Sequence, residues 1–302
     1  MIGSRGLADR FVGAAIPVPA SLEWLKASEA GRSWLDKLPA LLEAAREQFQ
    51  LTDIGHPFSG GNVSLVVPAK RGDEDVVLKL QYPDPECRHE AEALRRWSGK
   101  GAVRLLKYAP DLDALLLVRC RPGRFLADAT EADTLGVVAH LLRLLTIPAD
   151  EPFTRLSDEA TRWRNALDHD WKAAGKPCER SLVDAAITAL RDLCLTETAT
   201  VLLHQDLHGH NILSAGSDIW LAIDPKPLVG DPAFALSPIV RSFEFGHSKT
   251  AARRRLDRLS EELELDRERA RLWTIGQTMA WAFGSSYSDR HFDTVRWLLS
   301  EH

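Results

Sequence analysis

Two hydrophobic rhythms run along the chain, and the change from one to the other divides it. Over 21–50 the apolar residues recur at helical spacing: Leu22, Trp24 and Leu25, then Trp34, Leu35, Leu38, Leu41, Leu42 and Ala45. Side chains three and four apart share a helix face, so this stretch predicts amphipathic N-terminal helices. Two short runs rich in Val and Leu follow, 62–67 and 75–80, separated by the polar stretch Lys70-Arg71-Gly72-Asp73-Glu74. That arrangement predicts a β-hairpin. A helical segment over 86–97 stops at Gly99, and the apolar runs 102–107 and 114–119 predict strands joined by a turn at Pro110-Asp111. The opening part therefore predicts a small antiparallel sheet with one helix inserted between its strands.

Pro122-Gly123 breaks the pattern, as that dipeptide marks a turn. Helical periodicity then dominates, over 131–145, 158–171, 180–193, 250–264 and 267–283, with one β interruption at 201–224. The expected architecture is α+β. A mixed unit over 1–119 precedes a mostly helical unit over 120–302 that carries a single hairpin, and a length of 302 residues suits two domains.

Composition acts mainly by exclusion. An apolar fraction of 45% with 27% charged residues is that of a globular protein and excludes disorder for the whole chain. The net charge is -5, and the only basic block is Arg253-Arg254-Arg255, so no nucleic acid is expected as partner. No apolar run approaches the length of a bilayer crossing, so no membrane partner is expected either. The four cysteines contain no C-x-x-C pair and read as free thiols of a reducing compartment. Arg5 and Arg10 precede an apolar run over 11–16 that Pro17 and Pro19 cut short. That run is too brief for a secretory leader, which points to a cytoplasmic protein. With no exposed apolar stripe evident, a monomer is expected.

The densest polar chemistry is His204-Gln205-Asp206-Leu207-His208-Gly209-His210-Asn211-Ile212-Leu213, followed after a turn by Ile219-Trp220-Leu221-Ala222-Ile223-Asp224. A hairpin centred on Ser217-Asp218 pairs Asn211 with Asp224 and leaves Asp206 close by. Two carboxylates and an amide oxygen suit a hard dication such as Mg²⁺, with phosphate oxygens in its other positions. Asp206 is then left to accept a proton from an incoming hydroxyl. A competing reading takes His204, Asp206, His208 and His210 as the zinc cluster of a hydrolase, but it gives Asn211, Asp224 and Lys79 no role.

H-x-D-x-x-x-x-N followed by Ile223-Asp224 resembles the catalytic loop and metal-binding Asp of the protein-kinase-like superfamily. The fuller text, with Pro225-Lys226-Pro227-Leu228-Val229-Gly230-Asp231-Pro232-Ala233 after Asp224, is similar to the aminoglycoside phosphotransferases. Within them it is most similar to the streptomycin 6-kinase and hydroxyurea phosphotransferase group. Gly31-Arg32-Ser33-Trp34-Leu35 and the stretch 97–106 share the likeness. Asp224 is followed by Pro225-Lys226 in place of Phe-Gly, and no A-P-E segment follows, which argues against a protein kinase.

The resemblance implies a two-lobed protein-kinase-like fold and a Mg²⁺-dependent antibiotic-resistance kinase. Such an enzyme moves the γ-phosphoryl of ATP to a hydroxyl of a small cationic acceptor, streptomycin or a related aminocyclitol. It also implies roles. Asp206 is the catalytic base, Asn211 and Asp224 hold Mg²⁺, and His204 ties the loop to the Asp224 strand. Lys79, at the end of Val76-Val77-Leu78-Lys79, holds phosphates and pairs with Glu90, with Glu92 the fallback. Ser59, Gly60, Gly61, Asn62 and Ser64 form the phosphate-covering loop. From its position alone, two residues beyond Asp224 and not from the resemblance, Lys226 is expected to reach the γ-phosphate. Glu244, Trp281 and Asp289 are acceptor-site candidates. Hydroxyurea, a sugar or an amino alcohol is the alternative acceptor. A nucleotide-binding module without turnover is the further alternative, disfavoured because Lys79, Glu90, Asp206, Asn211 and Asp224 are all present.

Overall fold

Ser28 splits the helical N-terminal region in two. In the computed structural model, which describes residues 17–196 and 199–300, a 3₁₀ helix covers Ala20–Ala27 and helix α1 covers Glu29–Phe49. Ser28 lies extended between them, and its hydroxyl accepts from the Gly31 N–H. A side-chain cap of this kind starts a new helix rather than continuing an old one, so the helical region over 21–50 is two helices that meet at Ser28. The stretch over 11–16 weighed as a leader lies outside the described residues.

The chain divides into two compact units, Met1–Gly99 with Val103–Cys120, and Lys100–Ala102 with Arg121–His302. In the first, α1 is followed by β1 (Asp53–Ile54), β2 (Ser64–Arg71), β3 (Glu74–Gln81), α2 (Glu90–Trp97), β4 (Leu105–Ala109) and β5 (Ala114–Val118). The sheet runs β1-β2-β3-β5-β4 and every pairing is antiparallel. The β2–β3 pairing continues to Arg71↔Glu74, which leaves a two-residue turn at Gly72-Asp73. Gly72 has φ 61°, the conformation such a tight turn requires. The long polar stretch expected as a loop is therefore mostly strand. The strand expected over 102–107 starts only at Leu105. Leu65, Val67, Val76, Leu78, Leu80 and Leu116 bury one face of the sheet with Leu38, Leu42 and Phe49 of α1.

The second unit contains α3 (Thr134–Leu145), β6 (Thr154–Arg155), α4 (Leu156–Ala173), α5 (Arg180–Cys194), β7 (Val201–Leu203), β8 (Ile212–Ser214), β9 (Trp220–Ala222), β10 (Leu228–Gly230), α6 (Ser237–Arg241), α7 (Lys249–Glu262), α8 (Arg267–Ala280) and α9 (Ser288–Leu299). Two expectations need correction. The β interruption is a hairpin, β8–β9, plus a separate three-stranded sheet, β6-β10-β7, whose strands are too short to show a period. The helices α6 and α9 were not expected at all. Among the described residues no helix is long and apolar enough to cross a membrane. All four cysteines are free.

His291, on α9, is 7% exposed. Burial, assisted by the charges of Arg241 and His247, pushes its pKa down to about 4. The folded state therefore holds a neutral ring that the unfolded chain protonates near pH 6.5. The contribution is whole above that pH and is lost as pH falls toward 4, by about 1.4 kcal/mol per unit. His291→Gln should accordingly flatten the fall in urea-unfolding free energy between pH 6.5 and 4.5. Equal slopes in the variant and the parent would refute this account of the ring.

Candidate active site

Lys79 lies on β3, the strand flanked on both sides, with Val66 opposite it on β2 and Leu115 on β5. A strand so placed buries its side chains, and Lys79 is only 2% exposed. A buried ammonium needs a partner. Glu90, the first residue of α2 and 1% exposed, supplies it, with Oε1 and Oε2 2.8 and 2.7 Å from Nζ. Gln81 also donates to Glu90 Oε2 at 2.6 Å. Sequence reasoning missed Gln81, although its place two residues after Lys79 sets both on one face of the strand. Glu92 instead bonds Arg95 and Arg96 of its own helix.

In the loop before β2, Ser59, Gly60 and Asn62 are exposed. The Asn62 carbonyl accepts from Trp24 Nε1 at 2.8 Å. A Cβ on Gly61 would stand 2.3 Å from the Ser64 carbonyl oxygen, so only glycine permits that approach. Ser64 is buried as the first residue of β2, so it belongs to the strand rather than to the exposed loop.

The stretch after β7 is built around a tight turn. The Asp206 N–H donates to the His204 carbonyl at 2.8 Å, and Gln205 between them has φ 63°. A non-glycine residue in this region is strained, and such strain collects at functional sites. The His204 carbonyl also accepts from the Lys226 N–H at 3.0 Å. The His204 ring donates from Nε2 to the Ile223 carbonyl at 2.9 Å. Burial pushes the ring's pKa down to about 4, so it is a neutral tie. The hydrolase cluster therefore does not assemble as expected, because His204 is turned into the fold.

The hairpin register is one residue away from expectation. Ile212 pairs with Ala222 and Ser214 with Trp220, so the hairpin centres on Ser217. The Asn211 carbonyl accepts from the Ile223 N–H at 2.9 Å, which sets Asn211 opposite Ile223 rather than Asp224. A one-residue slip turns side chains to the other face. Here Asp224 lies two residues past the end of β9 in a left-handed conformation, φ 54°, so strand alternation does not reach it. Asp206 and Asp224 both act electrostatically on the His204 ring. Asn211 Nδ2 donates to the Asp206 carbonyl at 2.8 Å, which leaves the amide oxygen as its group for a cation. Hard oxygen donors of this kind fit Mg²⁺.

Around the Asp206 carboxylate stand Arg241 Nη2 at 3.3 Å, Lys226 Nζ at 3.8 Å and His208 Nε2 at 3.9 Å. Arg241 is 8% exposed and lies 35 residues from Asp206, where no local sequence signal could point to it. Trp281 was a candidate surface for a cationic acceptor. Its ring instead receives Arg241 Cζ at 4.3 Å and Lys226 Nζ at 4.9 Å, so the chain's own cations use it.

Glu244 accepts from the Gly209 N–H at 2.7 Å. Burial raises its carboxyl, but the charge of His208 and backbone hydrogen bonds outweigh that, and the net shift is downward. Burial also lowers the His208 ring. Asp289 is exposed in the first turn of α9, and no contact among the described residues joins it to the Asp206 group. Asp231 follows β10 and was assigned no role from the sequence. Its Oδ2 accepts from Arg269 at 2.5 and 2.8 Å and from Trp273 Nε1 at 2.8 Å. This braces the end of β10 against α8, and β10 pairs with the β7 strand that leads into His204.

Residues 48–288 match the family model described as aminoglycoside/hydroxyurea antibiotic resistance kinase. A streptomycin 6-kinase from Streptomyces glaucescens is 38% identical over 273 residues, 87% of this chain and 88% of that protein. A hydroxyurea phosphotransferase from Kitasatospora aureofaciens is 38% identical over 282 residues, 89% of this chain and 80% of that protein. Among solved structures, a choline kinase from Streptococcus pneumoniae superposes with a TM-score of 0.64 at 14% identity, over 88% of this chain and 99% of that one. That likeness shows the protein-kinase-like fold, with its antiparallel-sheet unit and helical unit.

Proposed function

This chain belongs to the aminoglycoside/hydroxyurea antibiotic resistance kinase family, and from that premise we propose that it transfers the γ-phosphoryl of ATP to a hydroxyl of streptomycin or a close relative. Mg²⁺ dependence, a monomeric state and a cytoplasmic setting are parts of the same reading. The observation that supports it best is the loop 204–211. One strained turn presents Asp206, while His204 and Asn211 tie that turn to Ile223, the residue before Asp224.

Phosphoryl transfer asks the protein for positioning and charge neutralisation more than for covalent chemistry. In the second unit, Asp206 accepts the proton of the attacking hydroxyl. Arg241 and Lys226, both within 4 Å of its carboxylate, hold it in place. Lys226 shares a carbonyl anchor with Asp206 and is the cation for the γ-phosphate. Asn211 and Asp224 would hold Mg²⁺, which when bound neutralises phosphate charge. In the first unit, Glu90 and Gln81 fix the Lys79 ammonium for the phosphates of the nucleotide, and the Ser59-Gly60-Gly61 backbone supplies N–H donors. Glu244 offers an anion to a cationic acceptor.

The hydroxyurea phosphotransferase relative is as similar as the streptomycin kinase and supports hydroxyurea as a second reading. Competition decides between them. With equimolar streptomycin, hydroxyurea, a second aminoglycoside and choline supplied with Mg²⁺ and ATP, streptomycin should gain a phosphoryl group first. Preferential consumption of hydroxyurea would replace the first reading with the second.

A further inference from the structure

We propose that His208, His210 and Glu244 form a second metal site, one for a borderline transition ion of which Zn²⁺ is the type, and that its occupation inhibits phosphoryl transfer. Each of the three side chains offers one ligand atom, and these atoms all lie within 4.8 Å of one another. Two imidazoles and a carboxylate are a donor set that suits Zn²⁺ and does not suit Mg²⁺, which takes oxygens. The site is thus chemically distinct from the all-oxygen set of Asn211 and Asp224.

The cluster is held by a close approach that one glycine allows. A Cβ on Gly209 would stand 2.7 Å from Phe245 Cζ and 3.0 Å from both Ala127 Cβ and Glu244 Cγ. Glycine between the two histidines therefore lets Glu244 sit on the loop backbone, where it accepts the Gly209 N–H. His208 is half-buried, with Nδ1 3.6 Å from Glu244 Oε1. His210 is exposed, its ring 5.6 Å from that of Phe125. Ligand atoms around tetrahedral zinc lie roughly 3.3 Å apart, so a small rotation of the exposed His210 ring closes the set. Three protein ligands leave a fourth position open.

Inhibition follows from what else His208 touches. Its Nδ1 faces Glu244 and its Nε2 lies 3.9 Å from Asp206 Oδ1, so an ion on Nδ1 binds across the ring from Asp206 and turns a polarised ring N–H toward the carboxylate that receives the acceptor. This half of the proposal rests on the reading of Asp206 as the base; the metal site does not.

The test uses the untagged full chain, stripped of metal with a chelator and titrated with Co²⁺ while its visible absorption is followed. One saturable Co²⁺ site is expected, displaced by Zn²⁺. His210→Ala should weaken it by at least about tenfold, and Asp224→Asn should leave it unchanged. With Mg²⁺ and ATP present, Zn²⁺ should inhibit the parent enzyme, and the concentration for half inhibition should rise in His210→Ala by the same factor. Absence of a saturable site, equal affinity in His210→Ala, or loss of binding in Asp224→Asn would overturn the site. Binding as expected with turnover indifferent to Zn²⁺ would overturn the inhibition. A chain without turnover on any acceptor would refute the kinase reading, while the Co²⁺ titration would still decide the site.

Discussion

Asp206→Asn is expected to lower the phosphoryl-transfer rate by about 10²–10⁴-fold, the range a positioned general base supplies. Asparagine keeps the shape of the side chain and the backbone turn through Gln205, but it cannot take the hydroxyl proton. Its amide also faces Arg241 and Lys226, which stand 3.3 and 3.8 Å from the native carboxylate, so some stability is lost with the charge. The informative readout is therefore a split. Turnover should collapse while nucleotide affinity, measured by calorimetry on the same sample, stays within a few-fold of the parent. A rate within threefold of the parent would remove Asp206 from the chemistry.

Lys79→Met should destabilise the protein by about 3–5 kcal/mol, the usual cost of leaving one member of a buried ion pair alone. Glu90 is 1% exposed, and only the Gln81 amide would remain of the two polar partners described above. Adding Glu90→Gln removes the buried charge that Lys79 balanced while keeping an acceptor for Gln81, so the double variant should recover much of the loss. Stability and function then come apart. Nucleotide affinity should stay low in the double variant, because the ammonium for the phosphates is still missing. Urea-unfolding midpoints for the two singles and the double close the cycle. A single variant within 1 kcal/mol of the parent would contradict the account of the pair.

Much of the local chemistry was legible in the sequence where the residues concerned lie close together in the chain, Gln81 beside Lys79 being an exception. Strands β2, β3 and β5 announced themselves by Val and Leu runs, and the polar density of 204–213 marked the loop that holds His204, Asp206 and Asn211. Boundaries were set by single residues that periodicity does not register. Ser28 caps α1, and Gly72 allows a two-residue turn where the polar stretch 70–74 was expected to separate the strands. The register of the β8–β9 hairpin differed by one because the turn between Ser214 and Trp220 holds five residues, so the hairpin centres on Ser217 rather than on the pair Ser217-Asp218. What stayed hidden was long-range. Arg241 reaches Asp206 across 35 residues, Asp231 reaches Arg269 across 38, and Glu244 meets Gly209 only because the helical unit folds them together. Trp281 illustrates the same limit from the other side. An aromatic ring suited to a guanidinium does receive one, but it belongs to Arg241.

The central claim is transfer of a phosphoryl group to a hydroxyl of an aminoglycoside acceptor, and the mass of the acceptor after reaction tests it most directly. Incubated with Mg²⁺, ATP and streptomycin, the parent chain should convert streptomycin to a species heavier by one phosphoryl group, in step with ADP formation. The same incubation with Asp206→Asn should leave the antibiotic unchanged. ADP formed while streptomycin keeps its original mass would contradict the account.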